Sequence, residues 1–300
     1  MADAGSVDAR VAPAEASSAI VRPSTLVWRS FRRDRAAVLG AAMVAVLVLV
    51  AVFCPWLAPR DPLATDAAEQ LREPSAGFPL GTDRFGRDQW SRLLYATRTS
   101  MLVTVGAVAI AVVLGVPLGL VSGYYGGRLD TVLMRCLDVV FAFPGILVAL
   151  VVVGILGPSA VNLVLTIGLL FAAQIARVTR GSAMAVRQRD FIEAVRSVGA
   201  RDASIIAFFV LPNVMSPLIV QATYYLSFAI QVEAGLSFLG LGTQPPTPAW
   251  GLMLNESRRF IEIAPWLSVF PGLAIVFAVL AFNLTGDGLR DALDPRQARR

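Results

Sequence analysis

Carboxylates and amides within apolar stretches are the first candidates for chemistry in this sequence. Asp138 and Glu233 each lie near one end of a long apolar stretch, and ionisable groups at membrane depth suggest function because they are costly to bury. Both positions can reach the membrane surface, so each carboxylate can equally be a solvated or paired charge at a helix end. Uncharged polar side chains either line a polar path or join helices by hydrogen bonds. The candidates for a path are Asn162, Gln174, Gln221, Tyr224, Gln231 and Glu233.

The sequence lacks two residue types on which many enzymes rely. All 26 cationic side chains are Arg, and there is neither Lys nor His. This excludes phosphate-binding and Schiff-base lysines, serine–histidine triads and imidazole zinc sites. Cys54 and Cys136 both lie within apolar runs, so neither a disulfide framework nor a paired-cysteine metal site is expected. We predict no catalytic residue and no metal site, and we expect this chain not to be an enzyme.

The composition indicates a membrane protein. Of the 300 residues, 56% are hydrophobic and 16% charged, and the mean hydropathy is +0.67, which is atypical of a water-soluble domain. Membrane lipid is therefore a better match than nucleic acid for the net charge of +5. A transmembrane helix needs about 20 mainly apolar residues. Six stretches of this kind predict an all-α polytopic membrane protein: 36–54, 101–121, 139–156, 160–176, 212–232 and 263–282.

The distribution of arginine predicts how these helices are oriented. Arginines concentrate before the first stretch, between the fourth and fifth stretches, and in the C-terminal tail. Cationic loops are retained in the cytoplasm, so both termini are predicted to be cytoplasmic. Tryptophan is typical of membrane interfaces, and four tryptophans fall at the predicted outer boundary: Trp56, Trp90, Trp250 and Trp266.

The predicted organisation has five parts. They are an unstructured cytoplasmic tail at 1–28, the first transmembrane helix with its flanks at 29–60, an outer loop with an interfacial helix at 61–100, a core of five transmembrane helices at 101–285, and a cytoplasmic tail at 286–300. Within the core, Gly115, Gly119, Gly123 and Gly127 recur every four residues. Small residues at this spacing predict the close approach of a neighbouring helix.

The outer loop contains a compact turn motif at 81–88, Gly-Thr-Asp-Arg-Phe-Gly-Arg-Asp. Its turn and cap residues lead into a helix that carries Trp90, Leu93 and Met101 on one side. This pattern predicts a helix that first lies on the membrane and then enters it. The Asp-x-Asp-x-Asp-Gly spacing of a calcium loop is missing, so a capped turn is the preferred interpretation.

The segment between the fourth and fifth stretches, 177–211, is longer than a simple connection requires. Phe191, Val195 and Val198 recur there at helical spacing and predict a short helix with an apolar stripe. Such a helix fits a docking site for a soluble cytoplasmic partner, and it also fits an amphipathic helix on the membrane surface. The pattern alone leaves both interpretations open.

Charged and helix-breaking residues complete this segment. Arg189, Glu193 and Arg196 are at helix-neighbour spacings and can pair with one another or with a partner. Gly199 is expected to end the helix, and Asp202 is expected to cap the next helix, which continues into the fifth stretch. The sequence therefore predicts helix, break and helix on the cytoplasmic side.

Several longer motifs resemble those of one membrane protein family. Residues 193–195, Gly199 and 209–212 are similar to the Glu-Ala-Ala…Gly…Ile-x-Leu-Pro loop of permease subunits in bacterial ABC importers, with Val195 and Phe209 in place of the family's Ala and Ile. Three further motifs narrow the resemblance to the C-type permease of dipeptide and oligopeptide importers, whose relatives carry nickel complexes or glutathione. These motifs are LGTDRFGRD at 80–88, EAGLSFLGLGTQPPTPAWG at 233–251 and GDGLRDALDP at 286–295.

The resemblance implies a type I ABC importer permease fold in the bacterial plasma membrane. A homologous second permease would enclose the path, two ATP-hydrolysing subunits would bind below, and an extracytoplasmic substrate-binding protein would deliver substrate from above. No cofactor is expected on this chain, because ATP and Mg would bind to the partner subunits, in agreement with the absence of Gly-x-x-x-x-Gly-Lys. Residues 191–199 would be the coupling helix. The residues implied in ATPase coupling are Phe191, Glu193, Ala194, Val195, Arg196, Gly199, Leu211 and Pro212.

The function implied by the resemblance is ATP-driven import of dipeptides or short oligopeptides. Import of nickel complexes, glutathione or another small solute by the same architecture stays open. The absence of His and the apolar surroundings of both Cys favour peptides over a bare transition metal. A secondary transporter or channel without ATPases is disfavoured because no carboxylate relay crosses the membrane. A membrane scaffold that recruits a partner is a further alternative.

Overall fold

The computed structural model describes residues 23–293, with side chains from residue 28 onward. The helices in this range are α1 (Pro23–Arg33), α2 (Arg35–Leu57), α3 (Gln89–Tyr125), α4 (Gly127–Phe141), α5 (Gly145–Leu156), α6 (Ala160–Arg187), α7 (Asp190–Ser197), α8 (Asp202–Ile205), α9 (Leu211–Phe238), α10 (Trp250–Ser257) and α11 (Trp266–Leu293). A π-helical turn, Ile206–Val210, joins α8 to α9. The prediction of an all-α protein is confirmed for the described residues.

Within residues 23–293, five helices are long and apolar enough to cross a membrane: α2, α3, α6, the continuous helix Asp202–Phe238, and α11. The predicted third span, 139–156, is not one straight helix, because α4 and α5 meet within it at an angle of 83°. Pro144 explains the break, since proline lacks the N–H of a helical hydrogen bond and disfavours helix at the residue before it. The described residues contain six candidate spans only if this bent pair counts as one.

Three predicted boundaries differ from the structure. α1 begins at Pro23, inside the tail predicted at 1–28, and residues 1–22 lie outside the described part of the chain. The interfacial helix predicted within 61–100 is the beginning of α3, a single helix of 37 residues. Its length of about 55 Å exceeds the ~30 Å apolar layer of a bilayer. α11 continues to Leu293, inside the predicted tail at 286–300, whose residues 294–300 also lie outside the described part.

The centre of the molecule is the pair of long helices α3 and α6. A Cβ atom added at Gly115, Gly119 or Gly123 would lie under 3.0 Å from a backbone carbonyl oxygen of α6. These three glycines therefore permit the close approach that the four-residue repeat predicted. Gly127 does not take part, because α3 ends at Tyr125 and a Cβ at Gly127 would meet nothing within 4 Å.

A second helical layer consists of α2, α9 and α11, and α10 packs against it. Trp250 is fully buried in this layer, where it contacts a cluster that includes Ile230, Met253 and Phe282. The prediction that Trp250 anchors the outer membrane boundary is therefore wrong. Trp56, by contrast, is 77% exposed. The tryptophan pattern is thus a mixture of surface and core positions.

The loop from 58 to 88 is folded by its own hydrogen bonds. The N–H of Asp66 donates to the carbonyl of Phe85 over 3.0 Å, and the N–H of Thr82 donates to the carbonyl of Arg72 over 3.0 Å. Asp88 caps α3, because its carboxylate accepts from the backbone N–H of Ser91 over 2.9 Å. The capped turn predicted for 81–88 is confirmed, and it sets where the long helix α3 begins.

Candidate functional site

The short helix α7 lies beside the ends of α3 and α6 and the beginning of Asp202–Phe238, and we call this region the α7 end. α7 covers Asp190–Ser197, and Gly199 follows it with a φ of +81°. This left-handed conformation is accessible to glycine and strained for other residues. The predicted sequence of helix, break and helix is confirmed, with Gly199 at the break.

Ile192 attaches α7 to the protein. Its side chain is completely buried in the main core cluster, which also contains Val186, Ile205 and Val210. Sequence reasoning missed Ile192 because it followed a stripe through Phe191, Val195 and Val198. Only Val195 of that stripe is partly buried against the core. Burial therefore follows a different face of the helix from the one that the spacing suggested.

The opposite face of α7 is exposed and contains most of the residues implied in coupling. Phe191 is 36% exposed and Val198 82% exposed. Glu193 and Ala194 are exposed as well, and a Cβ at Gly199 would meet nothing within 4 Å. Apolar and small residues on an uncovered helix face are typical of interaction surfaces. We call this set the exposed α7 face: Phe191, Glu193, Ala194, Val198 and Gly199.

Arg196 is connected to the rest of the protein by a hydrogen bond to one hydroxyl group, that of Tyr124. Its Nη2 donates to the Tyr124 hydroxyl oxygen over 3.1 Å, and that hydroxyl donates to Asp202 Oδ1 over 2.6 Å. The hydrogen bond to Tyr124 raises the pKa of the Arg196 guanidinium, which therefore stays cationic at neutral pH. The predicted cap by Asp202 is wrong, because the N-cap of α8 is Arg201 and no side chain caps it.

Leu211 and Pro212, the remaining residues implied in coupling, lie at the beginning of α9. Leu211 is partly buried against the main core cluster, and Pro212 is exposed in the first turn of α9. Both follow the π-helical turn Ile206–Val210. They are therefore part of the membrane-spanning helix and do not belong to the exposed α7 face.

Two of the predicted path residues, Gln174 on α6 and Gln231 on α9, lie at one cavity of about 440 Å³. The break between α4 and α5 forms another wall. None of the described residues that line the cavity has an ionisable side chain. The lining includes Phe141, Phe143, Ile146, Phe171, Gln174, Phe228 and Gln231. The phenylalanines were not predicted, because an aromatic residue in an apolar stretch is indistinguishable from core in sequence.

The aromatic rings of the cavity form an ordered group. The Phe171 ring stacks on those of Tyr225 and Phe228, with centroid distances of 4.9 and 5.7 Å. The Arg177 guanidinium lies 3.9 Å from the centroid of the Phe141 ring and 2.8 Å from Asp138 Oδ1. Asp138 is therefore a paired charge, which is one of the two interpretations that its sequence position allowed.

The other four predicted path residues lie elsewhere. Asn162 closes the turn between α5 and α6 by donating to the carbonyls of Leu156 and Gly157 over 3.0 and 2.9 Å. Gln221 and Tyr224 line a second cavity of about 710 Å³, at the α7 end. The six residues therefore do not share one cavity among the described residues.

Glu233 is the fourth of these residues, and it is fully buried. Its Oε1 accepts from the Ser237 hydroxyl over 2.9 Å, and Oε2 has no hydrogen-bond partner among the described residues. The expectation that Glu233 is a solvated or paired charge at a helix end is therefore wrong. Sequence position alone did not reveal that tertiary packing encloses it.

The two cysteines differ in exposure. Cys54 is buried, whereas Cys136, which also lies in an apolar run and was expected to be buried, is exposed. Among the described residues, no group of three or more His, Cys, Asp or Glu side chains could hold a metal ion.

A buried ion-pair network lies at the opposite end of the molecule from α7. It joins the loop motif to α10, which follows it by more than 160 positions. The Nε of Arg87 lies 2.6 Å from Asp83 Oδ2, and the Nη2 of Arg92 lies 2.8 Å from Glu256 Oε2. Arg87 Nη2 also contacts Glu256 Oε2 over 3.2 Å. Sequence reasoning found the turn but missed this network, since only tertiary contacts bring Glu256 to it.

Apolar spans, a broken helix beside a cavity and a short helix with an uncovered face define a membrane transport protein. Residues 115–299 match the family described as binding-protein-dependent transport system inner membrane component, and residues 23–74 match the N-terminal transmembrane domain of oligopeptide transport permease C. The chain belongs to this family of binding-protein-dependent inner membrane transport components. It is a multi-pass permease subunit of an ABC importer and not an enzyme, and ATP binds to its partner subunits.

Similar proteins extend over almost the whole chain. The di/tripeptide transport system permease protein of Pseudomonas aeruginosa is 44% identical over 293 residues, which cover 95% of this chain and 96% of that protein. The dipeptide transport system permease protein of Alkalihalophilus pseudofirmus is 40% identical, with 95% and 93% covered. The glutathione transport system permease protein of Escherichia coli O157:H7 is 46% identical, with 90% and 89% covered.

The fold has a relative among solved structures. A chain of the methionine ABC transporter MetNI in inward-facing conformations superposes with a TM-score of 0.57 at 18% identity, covering 68% of this chain and 96% of that chain. At this identity the similarity concerns the fold. It supports the arrangement of the helices described above.

Proposed function

We propose that this chain forms half of the transmembrane path of an importer for dipeptides or short oligopeptides. The observation that carries the substrate proposal is the cavity of about 440 Å³ between α6, α9 and the α4–α5 break. Aromatic rings such as Phe171 offer apolar surface to peptide side chains, and the amides of Gln174 and Gln231 can hydrogen-bond the peptide backbone. Similarity to two peptide permeases supports the same class of substrate.

The partners of this proposal are a second permease, two ATP-hydrolysing subunits and an extracytoplasmic binding protein. The family supports ATPase and binding-protein partners as classes. We assign the exposed α7 face to the ATPases, because it is apolar, uncovered and directly connected to membrane-spanning helices. The second permease would cover the apolar side of α4 and α5. On that side, Phe143, Ile146 and Val151 are each at least half exposed.

In this proposal both termini and the α7 end are cytoplasmic, and the loop 58–88 faces outward. Arginine density supports this orientation, and the helical range 177–211 then carries the coupling loop. With this orientation, the chain is divided into a first transmembrane unit at 29–60, an outer loop at 61–100 and a permease core at 101–285.

Transport would proceed by alternating access. ATP binding would change the separation of the two ATPases, and α7 would move with the subunit bound to it. The broken helix α4–α5 is the element that can respond, because Pro144 already interrupts its hydrogen bonds. Nucleotide can shift the two states only by its differential binding to them, so the two packings must have similar free energies.

Glutathione is the second candidate substrate, favoured by the 46% identity to a glutathione permease. It is itself a tripeptide but carries two carboxylates, whereas the described lining of the cavity has no cationic side chain. Neutral peptides therefore suit this half of the path better. A nickel complex has no comparable support among the described residues, which form no metal cluster.

The test uses the complete importer in lipid nanodiscs and in proteoliposomes, with the permeases, ATPases and binding protein of one operon. ATP-dependent uptake of a neutral dipeptide, and stimulation of ATP hydrolysis by the same peptide, are the expected results. Uptake of glutathione or a nickel chelate, without uptake of peptide, would show that the proposed substrate is wrong. Uptake that continues without the ATPases would contradict the importer itself.

A further inference from the structure

The inner end of α3 is connected to both sides of the break that follows α7. Tyr124 lies in the last turn of α3 and is 2% exposed. Its hydroxyl accepts from Arg196 on α7 over 3.1 Å and donates to Asp202 on α8 over 2.6 Å. The Tyr124 hydroxyl thus joins three helices, α3, α7 and α8. It does so beside Gly199, where the backbone permits rotation.

We propose that Tyr124 is a positioning residue for coupling: its hydroxyl makes α7, the break and α8 move together with the end of α3. The inference rests on the proposed function, since it assumes that the exposed α7 face receives movement from an ATPase. Without this hydroxyl, α7 could turn about the Val198–Arg201 connection while Ile192 stayed in its pocket. Movement of α7 would then be lost before it reached the membrane-spanning helices.

The packing around Tyr124 indicates that the hydroxyl contributes little to folding. The Arg196 and Asp202 side chains are exposed, so their charges do not depend on Tyr124 for solvation. The apolar anchors of α7 and α8, Ile192 and Ile205, are both completely buried and do not involve the hydroxyl. Removing one oxygen atom therefore leaves the core intact and removes the bridge between the two exposed charged groups.

A second contact carries displacement of α3 onward to the cavity. Ser122, two residues before Tyr124, donates to Asp130 at the beginning of α4, and Arg180 on α6 donates to both carboxylate oxygens of Asp130. α4 ends at the break whose residues line the cavity. The end of α3 is therefore bonded on one side to α7 and α8 and on the other to the broken helix.

The variant that tests this inference is Tyr124→Phe, which keeps the ring and removes the hydroxyl. Tyr125→Phe is the matched control, because Tyr125 is adjacent, 47% exposed and has no hydroxyl hydrogen bond among the described residues. Both are prepared as the complete importer in nanodiscs and proteoliposomes. Three quantities are measured: the subunit stoichiometry, the stimulation of ATP hydrolysis by peptide-loaded binding protein, and the number of peptides imported per ATP.

We expect Tyr124→Phe to assemble normally and to import about tenfold fewer peptides per ATP, because the hydroxyl loses its hydrogen bonds to two charged groups, Arg196 and Asp202. Tyr125→Phe should match the wild type. An unchanged ratio in Tyr124→Phe would overturn the inference, and so would failure to assemble, since Tyr124 would then be a structural residue.

A double-mutant cycle gives an independent measurement. Asp202→Ala removes the acceptor but keeps Tyr124 and Arg196, so it should lower the ratio of peptide to ATP by itself. Combined with Tyr124→Phe it should add little, because both changes break the same connection. Additive losses would contradict the inference. If the wild-type importer is not stimulated by peptide at all, the proposed function fails instead, and this outcome is distinct from a normal wild type with a normal Tyr124→Phe.

Discussion

The guanidinium of Arg92 lies 2.8 Å from the carboxylate of Glu256, although 164 positions separate them in the chain. The Arg92 side chain is 1% exposed and that of Glu256 14%. Arg87 and Asp83 complete the group, so two cations and two anions share one buried site. This network attaches the folded loop 58–88 to α10 and thereby to the end of α9.

Glu256→Gln should destabilise the protein. It leaves two buried guanidinium groups with one carboxylate, and breaking a buried ion pair typically costs about 3–5 kcal/mol of the free energy of unfolding. Thermal unfolding of the purified subunit in detergent measures the change. Glu262→Gln is the control, because Glu262 is exposed. Equal unfolding temperatures for the two variants would show that the network contributes no stability.

Gly119→Ala should weaken the contact between α3 and α6. The added Cβ would lie under 3.0 Å from the backbone carbonyl of Ala176, so the helices must separate. Overpacking of this kind costs about 1–3 kcal/mol of the free energy of unfolding. Gly235→Ala adds a methyl group within α9 where nothing lies within 4 Å. A loss of stability in the control as large as in Gly119→Ala would argue against the contact.

Gly199→Leu should abolish transport while the spans remain inserted. A non-glycine residue at a φ of +81° is strained by about 1–2 kcal/mol, and its side chain would stand on the exposed α7 face. Gly240→Leu introduces the same kind of strain, since Gly240 has a φ of +83° and open space around it, but lies after α9 and away from α7. Uptake and co-purification of the ATPases should be lost only in Gly199→Leu. Normal uptake in Gly199→Leu would contradict the role of the exposed α7 face in coupling.

Gln174→Glu should change which peptides are carried. A carboxylate in the uncharged cavity repels anionic substrates. We expect this repulsion, between like charges a few Å apart in a partly buried site, to slow the passage of the substrates roughly tenfold. Uptake of glutathione and of an aspartyl peptide should fall relative to alanyl-phenylalanine. Gln188→Glu, at the exposed end of α6, is the control with the same change in charge. An unaltered ratio of anionic to neutral uptake would place the path elsewhere.

Much of this fold follows from local properties of the sequence. Apolar length predicted the long helices, the glycine repeat predicted a close neighbour for α3, and Gly199 predicted the end of α7, because each depends on residues a few positions apart. The 83° bend of the third span did not follow from the sequence, since a proline kink of any size is compatible with an apolar stretch. Ile192 was missed because the apolar spacing of Phe191, Val195 and Val198 does not show which face of α7 packs against the core.

The sequence by itself determined that this chain spans a membrane, lacks the residues of common enzymes and carries the motifs of an importer permease. Only the tertiary structure decided which side chains meet. It buried Glu233 and Trp250, separated Asn162 from Gln174, and brought Tyr124 to both Arg196 and Asp202. The physical reason is that burial, ion pairs and cavities depend on contacts between distant segments, which periodicity and composition do not contain.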